Sequence, residues 1–315
     1  MNRRSLNREL KARSVPRAFP DGTAYDAVDI RTVEVLSGFF GISGREVEIA
    51  ALEREIIPER YARNFKTFCF EDQAALLKAK VTVIGLGGLG GGVTEILARD
   101  GFGRLILIDG DHFEESNLNR QFLSTRDLLD TPKAAAAAQR VKRVNPSVEV
   151  AAHTLFLDAD NGPDLMAGSD VVIDCLDNIK TRLLVEWACK QARIPLVSAA
   201  IAGVAGHITS IFPDDPGLSL IYGDVEDTAA KGAESALGTL PHGITILSAL
   251  ECAEAVKIIT GQGQTPSQPP ACDGCHRLHL PGPGFGLTSI LKKKTEPFEL
   301  RHWPEYCTHR RECGA

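Results

Sequence analysis

The amino-acid sequence predicts a doubly wound α/β fold: a mainly parallel, Rossmann-like sheet continuing into a mixed sheet, with an N-terminal helical extension. Three observations carry this. The β-branched run Lys80–Ile84 leads straight into Gly85-Leu86-Gly87-Gly88-Leu89-Gly90 and then into helically spaced apolar residues, which spells strand, tight turn and helix. From there to Ser198 short apolar runs alternate with helical patterns, and such alternation implies parallel strands covered on both faces. Beyond Ile201 the alternation lapses into a strand, a loop rich in Gly, Asp and Ala, and one long helix.

In chain order, residues 1–24 carry Arg, Pro and Gly with no apolar period and read as a mobile arm, while Val28–Phe40 and Arg45–Leu52 have helical spacing. Pro58 suits a helix's first turn, so Pro58–Phe70 reads as helical, with a further short helix at Asp72–Lys78. After the glycine turn come a helix at Val93–Asp100 and a strand at Arg104–Ile108 that ends in Asp109. The Ala-rich segment Lys133–Val144 is a helix stopped by Asn145-Pro146. Val148–His153, Val171–Asp174, Pro195–Ser198 and His207–Phe212 read as strands, and Thr181–Ala192 and Gly243–Thr260 as helices. Residues 261–286 are dense in Pro and Gly and read as irregular, with a last strand at Pro297–Arg301. The predicted organisation is an arm and helical extension over 1–57, a core over 58–261 and a cysteine-containing tail over 262–315.

With 315 residues, 43% of them hydrophobic, the chain can build one large core or two modest ones. Its net charge of −6 supplies no basic field to hold nucleic acid by counterion release, so a nucleic-acid partner is disfavoured. No apolar run approaches the roughly 20 residues of a membrane span, and Met1–Arg13 lacks the apolar centre of a signal peptide, so the expected location is cytoplasmic with no membrane partner. Cys69, Cys175, Cys189 and Cys252 lie in apolar patterns and read as buried thiols, whereas Cys272, Cys275, Cys307 and Cys313 lie in tail sequence and are candidate zinc ligands.

The glycine turn lets backbone amides approach a phosphate or adenosine at a helix N-terminus, although alone it is a weak signal, since glycines also serve close helix–strand packing. Asp109, at the end of the next strand, is placed to accept hydrogen bonds from ribose hydroxyls; otherwise it is a cap. Together they point to an adenosine-type ligand, which leaves NAD and ATP both open. The segment Asp111 to Gln121 then gathers Asn117, Arg120 and Gln121 beyond the strand end, and Lys133 follows. Triphosphate cleavage concentrates charge that Arg, Lys and Mg²⁺ must neutralise, so two cations here tilt the reading towards ATP. Asp177 and Asn178 follow the strand Val171–Asp174 at the same sheet edge; Asp177 is a candidate Mg²⁺ ligand, and either residue can instead cap the next helix.

These residues carry a resemblance. From about Arg60 to Gly261 the chain resembles the HesA/MoeB/ThiF family, the adenylyltransferases of sulfur-carrier proteins, and the adenylation core of ubiquitin-activating enzymes. The match runs through Arg60-Tyr61-Ala62-Arg63, the glycine turn, Ile108-Asp109-Gly110-Asp111, Ser116 to Gln121, Pro132-Lys133, Asp174-Cys175-Leu176-Asp177-Asn178 and the helix Leu250 to Lys257. The resemblance implies ATP with Mg²⁺ on Gly85, Gly87, Gly88, Gly90, Asp109, Asp111 and Asn178, with Asn117, Arg120, Gln121 and Lys133 on the phosphates and Asp177 organising the metal. It makes Arg63 a finger reaching into the site of a partner subunit, hence a homodimer. It also implies adenylation of the C-terminal Gly-Gly carboxylate of a small ubiquitin-like carrier, with a sulfurtransferase as a further partner.

The chain departs from the family pattern in two places. No cysteine lies in Gly223–Gly238, where thioester- or persulfide-forming relatives place one. The first of two Cys-x-x-Cys knuckles is missing at Ser219-Leu220-Ile221-Tyr222, and the Cys307 and Cys313 spacing is wide, so a rearranged zinc site and a metal-free tail are both open. Competing readings are a nicotinamide-dependent oxidoreductase, ATP-dependent activation of a carboxylate on a modified tRNA, and a non-catalytic heterodimer partner.

Overall fold

The computed structural model describes residues 3–203, 205–223 and 237–262, together with the backbone of 286–287. Its centre is a seven-stranded sheet of β4 (Lys80–Ile84), β5 (Arg104–Ile108), β6 (Glu149–His153), β7 (Val171–Asp174), β8 (Leu196–Ala202), β9 (Ala205–Ile211) and β10 (Gly286–Leu287), in the order β10-β9-β8-β7-β4-β5-β6. From β6 to β8 all neighbours are parallel; β9 returns antiparallel to β8, and β10 runs parallel to β9. The expected doubly wound sheet with a mixed continuation is therefore present.

Strand periodicity decides what each face buries. Val81, Val83, Leu105, Leu107, Val171 and Ile173 fill one side with α5 (Gly88–Asp100), α6 (Lys133–Val144) and α10 (Pro241–Thr260), whereas Ile84, Ile108, Val172 and Leu196 face α8 (Ile179–Gln191) on the other. Each such aliphatic side chain stabilises the fold by about 1.5–3 kcal/mol when fully buried. Strand order reverses between β4 and β7, which opens a crevice at their carboxyl ends, the place where open α/β sheets take ligands.

Before the large sheet lies a layer of α1 (Arg3–Arg13), α2 (Ile30–Phe40) and α3 (Gly44–Leu52) with a three-stranded sheet of β1 (Val15–Ala18), β2 (Ala24–Val28) and β3 (Ile56–Pro58). The expectation of a mobile arm over 1–24 is corrected: Leu6 and Leu10 are fully buried against Val28, Val33, Leu36 and Val47. Two leucines four apart fix α1 by one stripe, too little to register as a period in an Arg-rich segment. Asp29 caps α2 through Thr32 N, and a Ser43–Glu46 capping box starts α3.

The predicted helix over Pro58–Phe70 is also corrected. Pro58 ends β3, Glu59–Tyr61 form a single 3₁₀ turn, and turns continue to α4 (Phe70–Lys78). Tyr61 is wholly buried, and Lys66 adopts φ +83°, a conformation that no helix accommodates. The other predicted helices and strands within the described residues are present, their ends shifted by up to five residues, whereas β1–β3 and the short helices at Gly162–Met166 and Ser219–Tyr222 have no counterpart in the sequence reading. The loop at 224–236, the strand expected at 297–301 and the tail cysteines lie outside the described residues. No described helix is long and apolar enough to cross a membrane.

Candidate active site

At the end of β4 the chain turns at Gly85, whose φ of +85° lies in the left-handed region. A Cβ added at Gly90 would sit 1.8 Å from Gly85 O, so the first turn of α5 rests directly on the turn and only glycine fits. Gly88 is closed from the other side, its added Cβ 2.6 Å from Ile244 Cδ1. Gly87, the residue before α5, has no side-chain cap above it, which leaves first-turn amides available to an anion in the crevice.

Pairing of β4 with β5 brings Asp109 beside this turn. Asp109 Oδ2 accepts from Leu86 N at 2.6 Å and Oδ1 from Asp111 N at 2.7 Å. Burial pushes its carboxyl above the ordinary range, against the pull of those two amides and of Lys133. A carboxylate has about four acceptor positions, so capacity for ribose hydroxyls is left. Lys133, the first residue of α6, is buried; its backbone N donates to Asp111 O at 2.9 Å and its Nζ lies 3.1 Å from Asp111 Oδ2.

The short turn Glu115–Asn117 brings the remaining polar groups. Asn117 is buried with Oδ1 accepting from Glu114 N at 3.1 Å, and Arg120 donates to Ser116 O and Asn119 Oδ1 at 3.0 and 3.1 Å. Gln121 is buried with Nε2 3.5 Å from where a Gly87 Cβ would stand, and its Oε1 has no partner. Leaving such an oxygen unsatisfied costs about 1–3 kcal/mol, and the exception calls for a ligand or water to complete it.

On the other side of the crevice, Asn178 Oδ1 accepts from Thr181 N at 3.2 Å and caps α8. Asp177 is exposed and has no hydrogen-bond or ion-pair partner among the described residues. That free carboxylate at the strand end is a hard oxygen donor of the kind Mg²⁺ takes, and it fits the expected ligand. Its loop is held from below by groups that sequence reasoning missed. Asp174 is fully buried and accepts from Arg182 Nη1 at 3.0 Å, Ser198 Oγ at 2.7 Å and Leu176 N at 3.0 Å; Arg182 also donates to Leu176 O. The signal was present, since an acid closing an all-apolar strand demands a counter-cation, but nothing in Thr181–Ala192 singled out Arg182.

Arg63 is not brought to this crevice. Two residues before it, Tyr61 OH accepts from Asn145 Nδ2 at 2.8 Å, and Asn145 also donates to Ala98 O at 2.9 Å, at the C-terminal ends of α6 and α5. Those helices start at the crevice and end at the opposite edge of the sheet. Arg63 is exposed there without a hydrogen-bond or ion-pair partner among the described residues.

Residues 61–281 match the ThiF family, more than half of the chain. The chain belongs to the ThiF family. It is 38% identical over 200 residues to the SAMP-activating enzyme E1 of Haloferax volcanii, covering 62% of this chain and 72% of that protein. It is 34% identical over 215 residues to the molybdopterin-synthase adenylyltransferase of Salmonella typhimurium, covering 66% and 84%. Among solved structures it shares the fold of E. coli MccB crystallised with ATP, with a TM-score of 0.56 and 22% identity over 76% of this chain and 74% of that one.

This ThiF-family chain buries Cys175, Cys189 and Cys252 as expected, and burial raises all three thiols, Cys189 to about 12. Cys69 is corrected: it is exposed at the start of α4, its Sγ 3.0 Å from Asp72 Oδ2. Cys272, Cys275, Cys307 and Cys313 lie outside the described residues.

Proposed function

We propose that this ThiF-family protein adenylates the C-terminal Gly-Gly carboxylate of a small ubiquitin-like carrier, using ATP and releasing pyrophosphate. The observation that supports it most is Lys133, a buried cation held by Asp111 next to Asp109, in one crevice with Gln121 and its unpartnered amide oxygen. A dinucleotide needs no such cation, since backbone amides can hold its two phosphates.

On this reading the glycine turn and Asp109 seat the adenosine, and Asn117, Arg120, Gln121 and Lys133 surround the phosphates. Mg²⁺ bound by Asp177 would neutralise phosphate charge that the two cations leave uncompensated. The carrier's terminal carboxylate, with a pKa of about 3.3–3.7, is already ionised at neutral pH and needs no general base. It attacks the α-phosphorus, the bond from α-phosphorus to the bridging oxygen breaks, and pyrophosphate leaves with that oxygen. The chain's contribution is positioning and charge neutralisation. Arg63, stationed at the far edge of its own sheet, completes the crevice of a second copy, so the working form is a homodimer in the cytoplasm.

ATP–pyrophosphate exchange with a panel of Gly-Gly-ended carriers tests this. Wild type is expected to exchange with one class of carrier, and Asp177→Ala to exchange about 100-fold more slowly, the lower range for losing one electrostatic stabiliser. ATP binding without carrier-dependent exchange would reject the proposal in favour of a modified-tRNA carboxylate or a non-catalytic partner role.

A further inference from the structure

We infer that the N-terminal layer is a brace that fixes the Arg63 loop in the pose in which it serves a second copy of this chain; the inference rests on the trans-acting role proposed for Arg63. Residues 59–69 have almost no regular structure of their own, one 3₁₀ turn at Glu59–Tyr61 followed by turns. An arginine on such a segment samples many positions unless its flanks are held, and it is held on both sides.

Upstream, β3 hydrogen-bonds in parallel register with β2, Val28 opposite Pro58, and passes directly into Glu59. Glu59 is then gripped by the β1–β2 hairpin: Tyr25 OH donates to its Oε1 at 3.3 Å, and Arg17 Nε lies 4.0 Å from its Oε2. Downstream, Lys66 pairs with Asp21 at the tip of the same hairpin and lies 5.3 Å from the centre of the Phe19 ring. Phe19 is itself stacked on Tyr25, ring centres 4.3 Å apart. One hairpin therefore touches residue 59 and residue 66, with Arg63 between them, and Arg63 is close enough to act electrostatically on Tyr25.

The Lys66 backbone adds a second indication. Its φ of +83° is uncommon for a residue other than glycine and persists where surroundings over-determine it. Here the Lys66 side chain is what the hairpin holds, so a residue with a long cationic side chain occupies a position where glycine would relieve the backbone. Beneath the loop, Tyr61 is fixed by Glu48 at 3.2 Å and Asn64 by Gln73 at 2.9 Å. α3, which carries Glu48, thus joins the hairpin in setting the loop.

Two full-length variants test the brace. Phe19→Ala with Asp21→Ala removes the grip on Lys66; Lys66→Gly removes the gripped side chain while relaxing its backbone, so instability does not explain its effect. Both are expected to lower kcat for exchange about 10- to 100-fold, the scale of an ångström misplacement, with KM for ATP unchanged. Neither should slow the Arg63→Ala enzyme further, and Asp21→Glu should retain the wild-type rate. Hydrogen–deuterium exchange, which needs no activity, should show faster amide exchange at 62–68 in the Phe19/Asp21 variant with the glycine turn unchanged. Unaltered exchange at 62–68, or an equal further loss on the Arg63→Ala background, would overturn the brace. A slow Arg63→Ala enzyme beside fully active brace variants would overturn it while leaving the trans role standing, and an unimpaired Arg63→Ala enzyme would overturn both.

Discussion

Arg63→Ala is expected to lower the rate of carrier-dependent ATP–pyrophosphate exchange by about 1,000-fold, the lower range for an arginine that stabilises charge in nucleotidyl or phosphoryl transfer. ATP affinity and melting temperature should stay near wild type, because Arg63 is exposed and has no hydrogen-bond or ion-pair partner among the described residues of its own subunit. Geometry then gives a sharper result. If Arg63 acts across the dimer, Arg63→Ala and Lys133→Ala subunits complement one another: each mixed dimer joins one intact crevice to one intact finger. Random reassortment of equal amounts makes half of all dimers mixed, with one working site of two, so activity should recover to about a quarter of wild type in a two-fold assembly. Lys133→Ala subunits should remain folded, since the Asp111 side chain is 55% exposed and stays solvated without its partner. No recovery on mixing would mean that Arg63 serves its own site or none.

How much of this site was legible in the sequence depends on whether each residue's partner was near in sequence or distant. The turn from Gly85 to Gly90, Asp109 and Lys133 were readable because local pattern sets them: each lies at the end of a strand or the start of a helix, and parallel topology sends all such ends to one edge. The Asp174, Arg182 and Ser198 group was not readable as a unit, because β7, α8 and β8 meet only through the sheet register. The same holds for α1, whose two core leucines find their partners in α2, α3 and β2. The segment 58–70 was misread because Pro58 satisfies a helix-start rule, while the buried Tyr61 and the hairpin-held Lys66 impose turns through contacts no local rule contains.

Arg182→Ala is expected to be the most destabilising single change in the core, by about 3–5 kcal/mol, the scale for breaking a buried ion pair from one side. Arg182 is the cation facing Asp174, which is fully buried, and it also draws on Glu251 of α10, equally buried, whose carboxyl has Cys175 Sγ at 3.9 Å as its one hydrogen-bond partner among the described residues. Asp174 has three donors, whereas burial and the Asp174 charge hold the Glu251 carboxyl well above its ordinary value of 4.5. In the interval between the ordinary and the raised value the folded chain binds a proton that the unfolded chain has released. Stability contributed at Glu251 is therefore full below about pH 4.5 and falls as pH rises towards the folded value. Glu251→Gln should accordingly raise the denaturation midpoint at pH 8 and leave it unchanged near pH 4, the opposite sign from Arg182→Ala. Urea unfolding of both variants at the two pH values checks this, and a destabilised Glu251→Gln protein at pH 8 would show that the carboxylate is ionised and paired in the fold. Because Arg182 also anchors Leu176 O, its loss should slow exchange with a raised requirement for Mg²⁺, through the displaced Asp177 loop; Glu251→Gln touches that loop through Cys175 but keeps the Arg182–Leu176 hydrogen bond, so it should change the requirement far less.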